Sequence, residues 1–322
     1  MGCTAVRRKR PKGVLAMGWA CLECAATGRT EHAPTSADFP DTVLRRTSFV
    51  AGGGHGWRIS ALETPRATPA PWRIVVITGA PSWAEYWAET MAELPEDREM
   101  TVVDRPGYAG SEPLHPVPDI RVQAEALAPV LRARKPGQKL LLVGQSYGAA
   151  IAALMAAQNP GRVHSLVLLS GFFAETGPTA RWLIDMGSKA LKVIPRDLRH
   201  AVMECSGQGP QLVHAKRALS RLTIPVHMIH GDKDDFAPIE TAERLAAEAR
   251  TRRPIRFVRT PGANHFLNDG PAQELIAALE ACLPPRRRWA FALPQLPSFR
   301  GLRGRLPAFP GGAPSGAAAQ AH

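Results

Sequence analysis

Between about Thr42 and Leu283 the chain repeats one pattern, a short apolar run followed by a longer stretch with apolar residues at helical spacing. The runs within Arg73–Ile77, Lys139–Val143, Ser165–Leu169 and Val226–His230 are apolar at consecutive rather than alternate positions. A strand reads this way when both of its faces are buried, as in a parallel sheet covered by helices. Further strands are predicted at Met100–Asp104 and Ile255–Val258. Two earlier ones, Thr47–Val50 and Trp57–Leu62, flank Gly52-Gly53-Gly54 and predict an antiparallel hairpin. Helical patterns fall near Trp83–Leu94, at Ile120–Arg134 with Pro129 interrupting it, and at Ala149–Ala157. The alternation predicts an α/β domain over residues 42–283, with a mostly parallel central sheet and helices on both faces.

The rhythm breaks between Gly171 and Leu222, where helical patterns at Ala180–Val193 and His214–Leu222 flank the turn-rich Ser206-Gly207-Gln208-Gly209-Pro210. An insertion here would lie over the carboxyl ends of the strands, where open α/β sheets bind ligands. It predicts a small helical cap, about residues 172–222, with Trp182, Leu183, Ile184 and Met186 as packing residues.

Composition changes this picture only at the ends. The net charge is +12, but residues 1–13 carry Arg7, Arg8, Lys9, Arg10 and Lys12 without an acid, and residues 284–322 carry Arg286, Arg287, Arg288, Arg300, Arg303 and Arg305 without one. Subtracting those five and six leaves the middle near +1. The basic balance therefore gives no nucleic-acid-binding face, which would need positive charge on a folded surface. Residues 284–322 mix Pro, Gly, Ala and Arg without apolar periodicity and predict a disordered tail.

Residues 1–41 read as an extension. A basic run ending at Lys12, an uncharged stretch from Gly13 to Leu22, and Cys21 and Cys24 follow the order of a secretory leader with a lipoprotein-type cysteine. Gly18-Trp19-Ala20 before Cys21 lacks the usual aliphatic residue, and Glu23 precedes Cys24. An export signal within residues 1–24, placing the protein at the cell envelope, and an unstructured extension of a cytoplasmic protein both stand. Membrane association would run through this segment alone, and its apolar stretch is too short to span a bilayer. Oligomeric state has no signal. Of the five cysteines only Cys205 and Cys282 lie within the predicted domain, with no disulfide framework or metal-ligand spacing.

Candidate chemistry concentrates in three places. Gly144-Gln145-Ser146-Tyr147-Gly148 sits where the Lys139–Val143 strand runs into a helix of small residues. A serine on such a turn is lifted above the sheet edge at a helix N-terminus, and flanking glycines allow strand and helix to approach closely. A serine hydroxyl needs a base, and the base needs an orienting carboxylate. His230-Gly231-Asp232-Lys233-Asp234-Asp235-Phe236-Ala237-Pro238 follows one strand, and Pro261-Gly262-Ala263-Asn264-His265 follows the last. Both emerge at the same carboxyl edge. Asp232 and Asp235 compete with Asp234 for the acid role. His227 and His230 lie within or beside a strand and read as core or turn residues, and His55, His115, His164, His200 and His214 have no motif around them.

In the order Ser, Asp, His, and over about residues 42–283, the chain resembles the α/β-hydrolase superfamily, of the type with a short cap between the sixth and seventh strands. The elbow corresponds to Gly144–Gly148, the acid loop to Gly231, Asp234 and Pro238, and the histidine loop to Gly262–His265. The resemblance implies Ser146 as nucleophile, His265 as base, Asp234 as its orienting acid, and the backbone N–H groups of Ala80 and Tyr147 as the oxyanion hole. It departs from the family at Thr78-Gly79-Ala80-Pro81, where many relatives have His-Gly. Asp104-Arg105-Pro106-Gly107-Tyr108-Ala109-Gly110-Ser111 is similar to a turn that is structural in the family, so it carries no catalytic role in this reading. The expected activity is hydrolysis of a carboxylic ester or related small acyl substrate, with no cofactor and no metal. Acyl transfer or perhydrolysis on the same residues, and a non-catalytic binding protein on the same scaffold, are the alternatives.

Overall fold

The computed structural model describes residues 35–249, 251 and 253–283. The leader-like segment within residues 1–34 and the basic tail from residue 284 lie outside the described residues. Among the described residues eight strands form a single sheet: β1 (Arg45–Val50), β2 (Arg58–Glu63), β3 (Trp72–Ile77), β4 (Arg98–Val103), β5 (Lys139–Gln145), β6 (Ser165–Leu169), β7 (Val226–Gly231) and β8 (Arg256–Thr260). Their order is β1-β2-β4-β3-β5-β6-β7-β8. β1 and β2 form the expected antiparallel hairpin, β2 is also antiparallel to β4, and the remaining pairs are parallel.

The consecutive apolar positions divide between the two faces as the two-residue period of a strand requires. Val75, Ile77, Leu140, Leu142, Leu166 and Leu168 enter one core with helices α2 (Ile120–Leu127) and α3 (Gly148–Gln158). Ile74, Val76, Leu141, Val143, Val167 and Leu169 enter the other, beneath α1 (Ala88–Ala92) and α8 (Ala272–Glu280). α3 is buried along almost its whole length, which is why its small residues show no polar face.

Two predicted helices are shorter than their patterns. Trp83–Leu94 resolves into a 3₁₀ turn, Ala84–Trp87, followed by α1. Ile120–Arg134 is α-helical to Leu127 and then tightens to 3₁₀ through Pro129, which has no N–H to continue the α-helical ladder. Residues 35–41, read from sequence as part of the extension, rest on the sheet domain: Ser36 Oγ donates to Glu85 Oε1 at 2.9 Å, and Phe39 packs on the α1/α8 core.

Between β6 and β7 stand three helices, α4 (Pro178–Lys189), α5 (Arg196–Gly207) and α6 (Leu212–Arg221). The apolar pattern pointed to only the first and third. On α5 the buried residues are Asp197, His200, Ala201 and Glu204, a face with helical spacing but polar chemistry. The packing expected of α4 is partial: Leu183 and Ile184 are half-buried, whereas Trp182 and Met186 are 47% and 49% exposed. α7 (Ile239–Glu248) follows β7. Among the described residues no helix is long and apolar enough to cross a membrane.

Candidate active site

The strand order reverses direction between β3 and β5, because β3 connects to a neighbour on one side and the next strand, β5, lies on its other side. The loops after these two strands diverge at their carboxyl ends and leave a crevice there. Gly79 follows β3 and Ser146 follows β5, and a Cβ at Gly79 would stand 3.0 Å from that of Ser146.

Ser146 has φ +50°, a left-handed conformation that a side chain makes unfavourable by about 1–2 kcal/mol. Backbone bonds hold it there. Its N–H donates to Leu169 O at 2.9 Å, and its own carbonyl accepts from Ala149 N and Phe172 N, both at 3.0 Å. The elbow also requires its glycines: a Cβ at Gly148 would lie 2.3 Å from Ile77 O, and one at Gly144 would lie 2.6 Å from Gly148 O. Strand, helix and the end of β3 are packed backbone to backbone at this point.

The fold brings Ser146, His265 and Asp234 into one continuous hydrogen-bonded line. Ser146 Oγ lies 2.9 Å from His265 Nε2, and His265 Nδ1 lies 2.8 Å from Asp234 Oδ2. In the neutral tautomer that fits both contacts, Nδ1–H donates to the carboxylate and Nε2 accepts from the hydroxyl. His265 is 6% exposed, stacked on Phe236 at 5.3 Å and edge-on to Phe266 at the same separation. These rings and the carboxylate leave the imidazole little freedom to turn.

Three neighbouring acids compete in the sequence, and each has a different partner in the structure. Asp232 Oδ1 accepts from Gly262 N at 2.7 Å and so ties the acid loop to the histidine loop. Asp235 accepts from Thr179 Oγ1 at the start of α4. Asp234 alone reaches His265. Its other oxygen accepts from the N–H groups of Phe236 and Ala237 at 3.0 and 2.8 Å.

A residue that the sequence reading set aside also reaches Asp234. His230 Nε2 is 3.0 Å from Asp234 Oδ2 and 2.8 Å from Ala237 O. Both neighbours are acceptors, so this nitrogen carries a proton and donates to them. Burial by itself would raise the Asp234 carboxyl, but the bonds from His230 and His265 and from Ala237 N–H outweigh it and hold the group well below the ordinary carboxylate range. The only sequence signal for His230 was its place at the head of the acid loop.

Ala80 and Tyr147 flank Ser146 from the two loops. Among the described residues neither of their backbone N–H groups meets a protein acceptor. Thr78 is fully buried, and its hydroxyl donates to Val103 O at 3.1 Å, joining β3 to β4.

The D-x-x-G-x-G-x-S turn after β4 is held tightly. Asp104 accepts from Arg46 Nη1 at 2.7 Å and from Ala84 N at 2.7 Å, and Ser111 Oγ donates to Asp104 O at 2.7 Å. Its Arg105 points inward and forms a fully buried ion pair with Glu204 of α5, Nη2 to Oε2 at 2.9 Å. Neither residue of that pair drew attention in the sequence as a functional group. His200 Nδ1 lies 2.8 Å from Gly107 O, and His227 is at the β7/β8 pairing, so neither joins the serine site. Cys205 and Cys282 are free thiols, and burial pushes them up to about 12 and about 11. Among the described residues no three His, Cys, Asp or Glu side chains group to hold a metal ion.

A family model described as alpha/beta hydrolase fold matches residues 73–193, which includes the elbow and the start of the inserted helices. No curated protein matches the sequence. Among solved structures the chain is similar to a thermophilic esterase from Thermogutta terrifontis, with TM-score 0.56, 17% identity, and coverage of 73% of this chain and 97% of that one. It is similar to the esterase RhEst1 from Rhodococcus sp. ECU1013, with TM-score 0.54, 19% identity and the same two coverages. It is also similar to the haloalkane dehalogenase DatA from Agrobacterium tumefaciens C58, with TM-score 0.55, 15% identity, and coverage of 74% and 97%. At such identities a shared fold is what these likenesses carry, and that fold hosts more than one chemistry. Together with the family match and the eight-stranded sheet, they give the chain an α/β-hydrolase fold.

Proposed function

We propose that the protein is a serine hydrolase that cleaves a carboxylic ester or related small acyl substrate through an acyl-enzyme. The observation that carries this reading is the unbroken line Ser146 Oγ, His265 Nε2, His265 Nδ1, Asp234 Oδ2, with links of 2.9 and 2.8 Å. Ser146 Oγ attacks the acyl carbonyl carbon while its proton passes to His265 Nε2. The carbonyl π electrons move onto oxygen, and the Ala80 and Tyr147 N–H groups hold the resulting oxyanion. Collapse of the tetrahedral adduct breaks the bond to the leaving alkoxide, which takes the proton from His265. Water repeats the sequence, giving a carboxylic acid and restoring the serine. Asp234 keeps its charge throughout and stabilises the imidazolium that forms twice per turnover.

The serine at the elbow also argues against haloalkane dehalogenation as the chemistry of this chain. A haloalkane dehalogenase of this fold attacks carbon with a carboxylate at the elbow, and a hydroxyl there suits acyl transfer instead. The esterase neighbours agree with that choice without adding to the chemistry. Transfer to an acceptor other than water would use the same residues and differ only in what occupies the acceptor position.

The test is a fluorophosphonate probe together with hydrolysis of p-nitrophenyl acetate and butyrate. Wild type is expected to be labelled at Ser146 and to hydrolyse at least one ester. Ser146→Ala, with an unchanged circular dichroism spectrum, should lose both properties. An unlabelled, inactive wild type would leave the chain a binding protein on this scaffold.

A further inference from the structure

The buried Arg105–Glu204 pair lies against the backbone that carries the proposed oxyanion donors. The Arg105 guanidinium donates to Thr78 O from Nε at 2.8 Å, and to Gly79 O from Nη2 at 2.7 Å and Nε at 3.2 Å. Gly79 C=O and Ala80 N–H belong to one planar peptide unit, so fixing the oxygen fixes the direction of the N–H. A charged donor on that oxygen also polarises the unit and strengthens its N–H as a donor. The Cζ of the same guanidinium lies over the Tyr147 ring, 4.9 Å from its centroid, and over the Tyr108 ring, 4.5 Å from its centroid. Tyr147 supplies the second N–H. One side chain thus touches both arms of the hole without facing the substrate.

The remaining donors of the fork face Glu204 of α5 and Gln123 of α2. Nη1 donates to Glu204 Oε1 at 3.2 Å and to Gln123 Oε1 at 2.7 Å. Tyr108 Oη–H and Gln123 Nε2–H donate to the Glu204 carboxylate at 2.7 and 2.9 Å. If anchoring the inserted helices were the only task, an apolar cluster of similar volume would do it as well, because a buried ion pair repays its desolvation poorly. An apolar cluster could not donate to two carbonyls. A lysine could not span the two carbonyls, a carboxylate and two rings at once.

We propose that Arg105 is a positioning residue of the oxyanion hole, and that Glu204 makes its hold on the Gly79–Ala80 peptide depend on the docked helix α5. The proposal rests on the serine hydrolase reading above. It gives the turn after β4, structural by resemblance, a part in transition-state binding. It also makes the insertion a component of the machinery rather than a cover alone.

Arg105→Lys and Glu204→Gln test it, with Asp197→Asn as the control. Asp197 Oδ2 accepts from Ala109 N at 3.0 Å, so it joins α5 to the same turn without touching the oxyanion segment. The readouts are kcat and KM for a p-nitrophenyl ester, and the affinity of a trifluoromethyl ketone, which adds to an active serine and places an oxyanion in the hole. Removing a hole donor outright lowers turnover about 10²–10³-fold, so misplacing one by Arg105→Lys should lower kcat roughly 10–100-fold with KM within about threefold. Ketone affinity should fall by the same factor as kcat. Glu204→Gln should show the same split at smaller size, and Asp197→Asn should leave kcat unchanged. A folded Arg105→Lys that matches wild type or Asp197→Asn in kcat and ketone affinity overturns the proposal alone. Should Arg105→Lys fail to fold, Glu204→Gln decides by the same comparison. A wild type that neither labels nor hydrolyses overturns the hydrolase reading first, and this one with it.

Discussion

Asp234 and Glu204 are both carboxylates with side chains shut off from solvent, and they are partnered in opposite ways. Asp234 is surrounded by two imidazoles and two backbone N–H groups, so it faces groups that are neutral or able to change charge. Glu204 faces a guanidinium that keeps its proton, plus a phenol and an amide. In the proposed cycle charge appears next to Asp234 and leaves again, which a permanent cation beside it would oppose. Beside Glu204 nothing is required to titrate; burial alone would lower Arg105, but the charge and hydrogen bonds of Glu204 together with Tyr108 and Tyr147 outweigh it and hold Arg105 above its ordinary value. Partner chemistry, rather than depth, separates a carboxylate suited to a reaction from one suited to a joint.

The largest effect expected from breaking this contrast is on turnover. Asp234→Asn should lower kcat by about 10⁴, the size seen when an orienting acid of such a triad is neutralised, with little loss of fold. Assays of p-nitrophenyl ester hydrolysis beside a thermal melt would measure both. If Asp232→Asn proved the severe variant instead, the acid assignment would be wrong by two residues.

Glu204→Ala should fail in the other direction. It leaves the Arg105 charge buried and unpaired, which costs about 3–5 kcal/mol of stability. Urea unfolding would read this as a lowered midpoint with an unchanged slope. A loss below about 1 kcal/mol would mean that water reaches the pair and that it is no joint.

His230→Leu tests whether the second imidazole matters to Asp234. Losing one hydrogen bond to a charged group should lower kcat by about tenfold. It should also raise the Asp234 carboxyl back toward its ordinary value. The sign for stability follows from the depressed folded value: Asp234 stabilises the fold above about pH 4, and that contribution fades as pH falls through the lower folded pKa. Below pH 4 the stability of His230→Leu should therefore depend less steeply on pH than that of wild type, as followed by circular dichroism. The smallest effects are expected from Asp232→Asn and Asp235→Asn, under about threefold in kcat, since each holds a loop contact outside the hydrogen-bonded line.

Much of this arrangement was legible in the chain. Consecutive apolar residues marked β3, β5, β6 and β7 because strands buried on both faces have no polar side to display. Glycines at 144 and 148 marked the elbow because a Cβ at either would collide with backbone. Local spacing therefore determined the sheet, the elbow, and the order in which serine, acid and histidine leave it.

Tertiary structure decided what spacing cannot encode. α5 escaped the apolar pattern because its buried face is Asp197, His200, Ala201 and Glu204, and polar residues are buried only when distant partners satisfy them. Those partners, Arg105, Tyr108 and Gln123, lie 80 or more positions away in the chain. The resemblance already pointed to Asp234, but which of Asp232, Asp234 and Asp235 reaches His265, about 30 residues on, is set by how the two loops fold against each other. Hydrophobic period is a property of neighbouring residues and can be read in one dimension; the pairing of buried charges is a property of three.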